Sequence, residues 1–139
     1  MADETRPAER PPALLSELFD HQLITAVRHA VARLAARSGL TGPRLDDFVL
    51  AVNEMMTNAV RHAGGSGVLT LWCQDEKLQC EVVDKGPGIP AEHLDAHPLP
   101  SPFAVSGRGL WLAHRLCDNV TIRTGRRGTT VHLIITLPR

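Results

Sequence analysis

The chain has 139 residues, which is enough for one domain with a single hydrophobic core. Fifteen Lys and Arg balance fifteen Asp and Glu, so no net charge draws the chain toward nucleic acid or an anionic membrane. Three cysteines cannot all pair in disulfides, and the chain has neither an 18-residue apolar run nor a hydrophobic leader, so we expect a soluble cytoplasmic protein.

The first part of the chain is predicted to hold a tail, a short strand and a helix. Residues 1–12, with three prolines among charged residues, are expected to be a disordered tail, and residues 13–139 a single domain. Leu14 to Phe19 are compatible with either a short edge strand or a first turn. From His21 to Arg37 apolar residues recur every three or four positions, and Ser38-Gly39 follows as a stop signal, which predicts a helix.

The segment from Thr41 to Ala63 is predicted to be a long amphipathic helix with Pro43 in its first turn. One broad stripe is apolar and is expected to face the core: Leu45, Phe48, Val52, Met55, Met56, Ala59 and Ala63. The opposite stripe is polar and comprises Asp47, Glu54, Asn58 and Arg61. Glu54 and Asn58 lie one turn apart, so a carboxylate and an amide oxygen could hold a divalent cation or orient a hydroxyl. The solvated face of an ordinary surface helix has the same pattern.

Two apolar-rich runs after this helix, Val68 to Gln74 and Leu78 to Asp84, predict a hairpin joined through Asp75-Glu76-Lys77. If the turn consists of Glu76 and Lys77 alone, Cys73 faces Cys80 across the hairpin. Two thiols that serve as small core hydrophobes are the alternative interpretation.

A loop, a helix and a second hairpin are predicted in the last third of the chain. Residues Ile89 to Ser106 contain four prolines, which forbid regular structure and indicate a functional surface loop. Gly109 to Cys117 is apolar nearly all round and predicts a short helix. Asn119 to Thr124 and Thr129 to Leu137 predict a second hairpin around Gly125-Arg126-Arg127-Gly128.

These elements together predict an α+β fold, a two-layer sandwich in which a mostly antiparallel mixed sheet is covered on one face by about three helices. The other face is expected to stay exposed or to bind a partner.

Two glycine-rich segments suggest contacts with a ligand. In Asp84-Lys85-Gly86-Pro87-Gly88 the glycines allow close backbone approach and the aspartate can accept a hydrogen bond from an exocyclic amine, although the same residues also build ordinary turns. Ser106-Gly107-Arg108-Gly109-Leu110 runs into a helix, where backbone N–H groups could cradle phosphate. This segment is not a Walker A loop, because no Gly-Lys-Ser/Thr follows. Each motif alone is weak.

In their order along the chain, four elements resemble the GHKL superfamily of ATPases and kinases: the Glu-x-x-x-Asn helix, D-x-G-x-G at a strand end, G-R-G-L opening a helix, and Gly128-Thr129-Thr130 entering the last strand. The resemblance covers about residues 45–137. Within the superfamily, Asn53 to Ala63 is similar to the E-x-x-x-N-A-x-x-H-A segment of bacterial anti-sigma factor serine kinases. It implies a Bergerat-type ATP-binding kinase domain over residues 13–139.

The resemblance also implies roles for individual residues. Glu54 would be the general base that deprotonates the acceptor hydroxyl, and Asn58 the magnesium ligand. Asp84 would bond the adenine amine, and Thr129 or Thr130 would complete the adenine pocket. The other nucleotide contacts would come from Arg61, His62, Gly86, Gly88, Ile89, Gly107, Arg108, Gly109 and Leu110. Residues Ile89 to Ser106 would form the ATP lid, with Val105 where many members have another glycine.

The function that the resemblance implies is an ATP- and Mg²⁺-dependent anti-sigma regulatory factor. It would phosphorylate a serine or threonine on an anti-anti-sigma (STAS-type) partner and sequester a sigma factor, without direct contact with nucleic acid or membrane. The alternative is a non-catalytic ATP-binding module of the same fold. A homodimer through the N-terminal strand is a further expectation, although that strand is only weakly marked in Leu14 to Phe19.

Overall fold

The computed structural model describes residues 10–62, 65–85 and 111–138. In chain order the elements are β1 (Leu15–Asp20), α1 (Ile24–Arg37), α2 (Gly42–His62), β2 (Ser66–Gln74), β3 (Lys77–Asp84), β4 (Asn119–Gly125) and β5 (Gly128–Thr136). A third helical segment, α3, spans residues 111–116 in the described part of the chain. No helix in these ranges is both long and apolar enough to cross a membrane.

The five strands form one sheet in the order β1-β2-β3-β5-β4. All four pairings are antiparallel, so no parallel pair occurs among the described strands. The predicted α+β sandwich with a mostly antiparallel sheet is therefore confirmed. Its edge strands are β1 and β4, and the short strand predicted near Leu14 to Phe19 is one of these edges.

The core lies between one face of the sheet and the helices. α2 packs against α1 and against β2, β3 and β5. Five of the seven residues of the predicted apolar stripe of α2 are buried, namely Phe48, Val52, Met55, Met56 and Ala59. Leu45 is partly buried, and Ala63 lies outside the described residues. The sheet contributes alternate residues, among them Leu69, Leu71, Leu78, Cys80, Val82, Val131, Leu133 and Ile135. We call the face that these residues occupy the inner face and the opposite one the outer face.

The first helix begins later than the sequence pattern predicts, at Ile24 instead of His21. The reason is Asp20, the last residue of β1, whose carboxylate oxygen accepts the backbone N–H groups of Gln22 and Leu23, both at 2.9 Å. These bonds hold the connection in a turn, as short acidic side chains commonly do before a helix. The helix ends as predicted, with Gly39 at a φ of +118° after Ser38.

The first hairpin has a tight two-residue turn made of Asp75 and Glu76, with φ values of +56° and +62°. Positive φ at both central residues is the turn geometry that suits the twist of two antiparallel strands. This turn pairs Cys73 with Leu78 and Leu71 with Cys80. The register with Cys73 opposite Cys80 is therefore wrong, because it required the turn to lie one residue later. All three cysteines are free thiols.

The outer face is covered in part by the segment before β1. The guanidinium of Arg10 lies 4.0 Å from the centre of the Trp72 ring and 3.3 Å from the carboxylate of Glu81. His132 packs on the same tryptophan with the ring centres 5.3 Å apart, and Trp72 is consequently buried although none of the described helices covers this face. The structure therefore describes residues 10–12 of the predicted tail, and Arg10 among them contacts the sheet. The boundary at residue 13 stays a prediction.

Candidate nucleotide site

Three polar side chains form a row across the inner face where β3 ends. The strand register places Asp84 opposite Thr129 and Thr129 opposite Thr124. Side chains alternate between the two faces of a strand, and these three lie on the same face as Val82, Val131 and the other core positions. The apolar inner face therefore ends in a polar row. The hydroxyl oxygens of Thr124 and Thr129 are 2.8 Å apart, and Thr129 is buried. We call Asp84, Thr129 and Thr124 the polar row.

Gly128 brings two main-chain segments into close contact beside this row. Its φ is +138°, which side chains rarely tolerate, and a Cβ placed on it would collide with the carbonyl oxygen of Asp84. The same Cβ would stand 2.9 Å from the Cα of Lys85. Only glycine therefore lets β5 begin directly against the end of β3.

The polar face of α2 ends on the same side of the molecule as the polar row. Only three residues separate His62 at the end of α2 from Ser66 at the start of β2, so the two lie within about 14 Å of each other. Because β2 begins at the sheet end where β3 finishes, the last two turns of α2 come to the end that holds Asp84. Asn58 lies about 6 Å and Glu54 about 12 Å along the axis before His62.

The exposure of these α2 residues suits contact with a ligand. Glu54 and Asn58 are partly buried, and Arg61 is exposed. A carboxylate, an amide and a guanidinium thus follow one another toward the end of the helix. Such a set can accept a proton, coordinate a hard cation and neutralise phosphate charge.

The structure does not bring every predicted residue to this end of the inner face. Thr130 follows Thr129 in β5, so it lies on the outer face, where it pairs with Val83 of β3 and Arg123 of β4. Of the two threonines offered for the adenine pocket, Thr129 is therefore the one in the polar row. The backbone of His62 closes α2. The remaining predicted contacts lie outside the described residues: Gly86, Gly88, Ile89, Gly107, Arg108, Gly109 and Leu110, together with the predicted lid.

Sequence reasoning assigned no role to Thr124 and gave Gly128 none beyond the motif that enters the last strand. Nothing in the local pattern singles out Thr124, because its role follows only from the register of β4 on β5. For Gly128 a signal existed, since a glycine just after a two-residue turn often marks a position with positive φ.

The residues present suit Mg²⁺ only in company with phosphate oxygens. Among the described residues no group of three or more His, Cys, Asp or Glu could hold a metal ion. Magnesium typically takes one or two protein oxygens and completes its shell with water and substrate phosphates. Asn58 is an oxygen donor of that kind, so the chain's own atoms fit a cation that arrives with a nucleotide.

Comparison with known proteins identifies relatives along most of the chain. A family model described as the histidine kinase-like ATPase domain matches residues 19–135. The chain is 30% identical to the anti-sigma F factor of Clostridium acetobutylicum over 112 residues, which are 75% of this chain and 78% of that protein. It is 25% identical to the serine-protein kinase RsbW of Staphylococcus aureus over 114 residues, 73% of this chain and 72% of that one.

Solved structures show the same fold. The RsbU and RsbW domains of a Mycobacterium tuberculosis protein match 90% of this chain with a TM-score of 0.64 and 22% identity. The chain spans about a third of that structure, 33% of its length. The histidine kinase domain of a blue-light activated histidine kinase from Erythrobacter litoralis matches 84% of this chain and 64% of its own, with a TM-score of 0.54 and 22% identity.

Proposed function

Because the chain belongs to the histidine kinase-like ATPase family, we propose that it is an ATP-binding anti-sigma regulator. In this proposal it phosphorylates a serine or threonine of an anti-anti-sigma (STAS-type) partner and sequesters a sigma factor. The observation that carries the proposal is that the polar row and the C-terminal end of α2, the helix of Glu54 and Asn58, lie at the same end of the sheet. The names of two relatives, an anti-sigma factor and a serine-protein kinase, support it.

The polar row is the proposed adenine pocket. Asp84 accepts a hydrogen bond from the exocyclic amine, and the Thr129 hydroxyl, held by Thr124 at 2.8 Å, offers a second polar contact. The next residues along the inner face, Val82 and Val131, are buried in the core, so the polar row marks the edge at which the apolar interior ends. Gly128 keeps the space beside Asp84 free of a side chain.

The α2 residues act on the phosphates and on the acceptor. Asn58 would hold Mg²⁺ through its amide oxygen, and the ion, when bound, would neutralise charge on the phosphates. Arg61 offers exposed positive charge near the same end of the helix. Glu54 would accept the proton of the serine or threonine hydroxyl as that oxygen bonds to the γ-phosphorus, while the bond from this phosphorus to the bridging oxygen breaks and ADP leaves. Most of the rate in phosphoryl transfer comes from positioning and charge stabilisation, which these residues would provide together.

The product of this reaction would regulate the partner. A phosphoserine or phosphothreonine carries close to two negative charges and three acceptor oxygens. At an interface that fitted a neutral hydroxyl, this charge repels or misfits, so the phosphorylated partner is released. The chain is then available to hold its sigma factor. We place this cycle in the cytoplasm, where both partners would meet ATP.

A homodimer is part of the same proposal. β1 is an edge strand. Three large apolar side chains in and beside it are exposed: Leu14 just before β1 (43%), Leu18 in β1 (59%) and Val68 in the neighbouring β2 (41%). Pairing of two edges would cover unpaired backbone groups and this surface. Sedimentation of wild type and Leu18→Glu tests it, because a dimer through β1 dissociates in the variant.

Phosphotransfer itself is tested with labelled ATP, magnesium and a STAS-type protein as acceptor. We expect label on the acceptor with wild type and at least about a hundredfold less with Glu54→Gln, since a general base contributes roughly two to four powers of ten. Asp46→Asn, an exposed carboxylate of the same helix outside the polar stripe, is the matched control and keeps full activity. Transfer that survives Glu54→Gln undiminished contradicts the assigned role.

The alternative is a module that binds ATP and partners without transferring phosphate. The partly buried Asn58 and the polar row would serve it equally well, because both roles require the nucleotide. The non-catalytic module predicts that wild type and Glu54→Gln bind ATP and the STAS-type protein with equal affinity and that neither protein labels the acceptor. ATP titration by calorimetry beside the label assay separates the two functions.

A further inference from the structure

A cluster of hydrogen bonds at the far end of α2 takes no part in the proposed chemistry. Arg44, in the first turn of α2, makes a two-pronged ion pair with Asp118, with N–O distances of 2.9 and 3.4 Å. Its guanidinium also donates to the carbonyl of Thr136 at 3.0 Å. Asp118 in turn accepts the backbone N–H of Thr136 at 2.6 Å. We call these three residues the clamp.

The clamp joins three elements at the sheet end opposite the polar row. Arg44 begins α2, Asp118 follows α3 and precedes β4, and Thr136 is the last residue of β5. β5 starts at Gly128 beside Asp84, so its two ends span the whole sheet. α2 runs alongside it, with Arg44 about 15 Å from Glu54 and about 21 Å from Asn58 along the helix axis.

The helix face that carries Arg44 is also the face of Asn58. Arg44, Ala51 and Asn58 are spaced by seven residues, and a helix drifts only about 20° over such a step. Ala51 is fully buried, so this line of the helix contacts the rest of the protein. Asp47 lies one turn beyond Arg44. Burial is the main cause that raises the pKa of the Cys117 thiol, and the Asp118 and Asp47 carboxylates raise it as well. The polar stripe of α2 therefore starts against the segment that follows α3.

We propose that Arg44 is a positioning residue for the nucleotide site, which acts by fixing α2 against Asp118 and Thr136. This inference rests on the proposed function. With the clamp in place, α2 cannot slide along or tilt away from β5, so Glu54 and Asn58 keep one alignment with Asp84 and Thr129. Without it, only a fraction of the molecules holds that alignment, and the apparent dissociation constant rises by the inverse of the fraction.

The geometry of the clamp makes this effect larger than that of an ordinary surface ion pair. Isolated exposed pairs contribute little, and both partners here are half exposed, with 50% and 40% of their side chains accessible. Arg44 and Asp118, however, also satisfy the last backbone N–H and C=O of β5. The planar guanidinium fits this set of acceptors, whereas a lysine ammonium cannot make both prongs.

The test measures MgATP affinity by calorimetry in the full chain. We expect Arg44→Ala and Asp118→Asn each to weaken binding about fivefold, within the range known for residues that couple to a distant site. The double variant should lose no more than either single one. The MgATP affinity of Arg44→Lys should lie between those of wild type and Arg44→Ala, because lysine keeps the positive charge but cannot make the two-pronged ion pair with Asp118.

Arg10→Ala is the matched control. It removes another exposed arginine–carboxylate pair, with Glu81 at 3.3 Å, on the outer face away from α2. We expect it to bind MgATP like wild type. Unchanged affinity in Arg44→Ala, or an equal loss in Arg10→Ala, overturns the inference, because the clamp then has no special connection with the site.

Hydrogen exchange of the nucleotide-free protein separates this inference from the proposed function. Absence of ATP binding by wild type refutes the function itself. In that case faster exchange along α2 in Arg44→Ala, but not in Arg10→Ala, still shows that the clamp fixes α2, whereas equal exchange in wild type and Arg44→Ala overturns the inference.

Discussion

Gly128 lies so close to Asp84 that the Cβ of any side chain on the glycine would collide with the main-chain carbonyl oxygen of Asp84. The contact joins the end of one central strand to the start of its neighbour, at the edge of the polar row. It therefore links the stability of the sheet to the shape of the proposed adenine pocket.

Replacement of Gly128 by alanine should destabilise the fold and abolish nucleotide binding together. The new Cβ meets main-chain atoms that cannot rotate away, and the φ of +138° is strained for alanine. We expect a loss of about 2–3 kcal/mol in unfolding free energy, measured in urea. Gly125→Ala is the control, because a Cβ there meets nothing within 4 Å. Equal stability of the two variants would falsify this packing argument.

Asp84→Asn should weaken ATP binding while leaving the fold intact. The amide can still accept a hydrogen bond through its oxygen, but it loses the charge that strengthens the bond to the adenine amine. We expect an affinity at least about tenfold lower by calorimetry, the usual worth of a hydrogen bond to a charged group. Asp75→Asn, in the exposed hairpin turn, should bind like wild type, because asparagine tolerates the φ of +56° there. Wild-type affinity in Asp84→Asn excludes an adenine contact.

The clamp should make stability depend on pH in the acid range. The hydrogen bond from Arg44 is the main reason that the pKa of Asp118 lies below its usual value. A depressed carboxyl pKa contributes stability that is complete above the unfolded value, about 4, and is lost as pH falls through the folded pKa. Urea unfolding of wild type and Asp118→Asn should thus differ at pH 6 and converge toward pH 2. High salt should reduce the difference, since the pair is half exposed. A constant difference down to pH 2 contradicts this account.

Two of the three thiols should resist alkylation in the folded protein. Burial raises the pKa of Cys117 to about 12 and also raises that of the fully buried Cys80. Because the thiolate is the reactive form, neither residue should be labelled by iodoacetamide at pH 7.5, whereas the partly buried Cys73 should be. Mass spectrometry of native and urea-unfolded samples checks this. Rapid native labelling of Cys80 would mean that the core opens readily.

The elements of the fold were predictable because their signals are local. The spacing of Phe48, Val52 and Met56 identified the buried side of α2, and alternation identified β5. Helix α1 was placed three residues too early, because the turn that Asp20 holds before the helix depends on a backbone path that periodicity does not specify.

The site was predictable in part, and for a different reason. Motif order pointed to Glu54, Asn58 and Asp84, but the choice between Thr129 and Thr130 required the strand register, which sequence patterns leave open by one residue. The Arg44–Asp118 pair joins residues 74 positions apart and carries no motif, so only the folded chain reveals it.

The strand order also has a consequence for synthesis on the ribosome. β3 pairs on one side with β2, only two residues away, but on the other side with β5, whose first residue comes 44 positions after the last of β3. A nascent chain can therefore form its first hairpin early, yet it cannot assemble the polar row until β5 has left the exit tunnel. Contacts of such long sequence separation form slowly and leave an apolar edge uncovered meanwhile. Competence to bind nucleotide would then be acquired only after β5 has docked on β3, and ATP would capture only chains in which this pairing has formed.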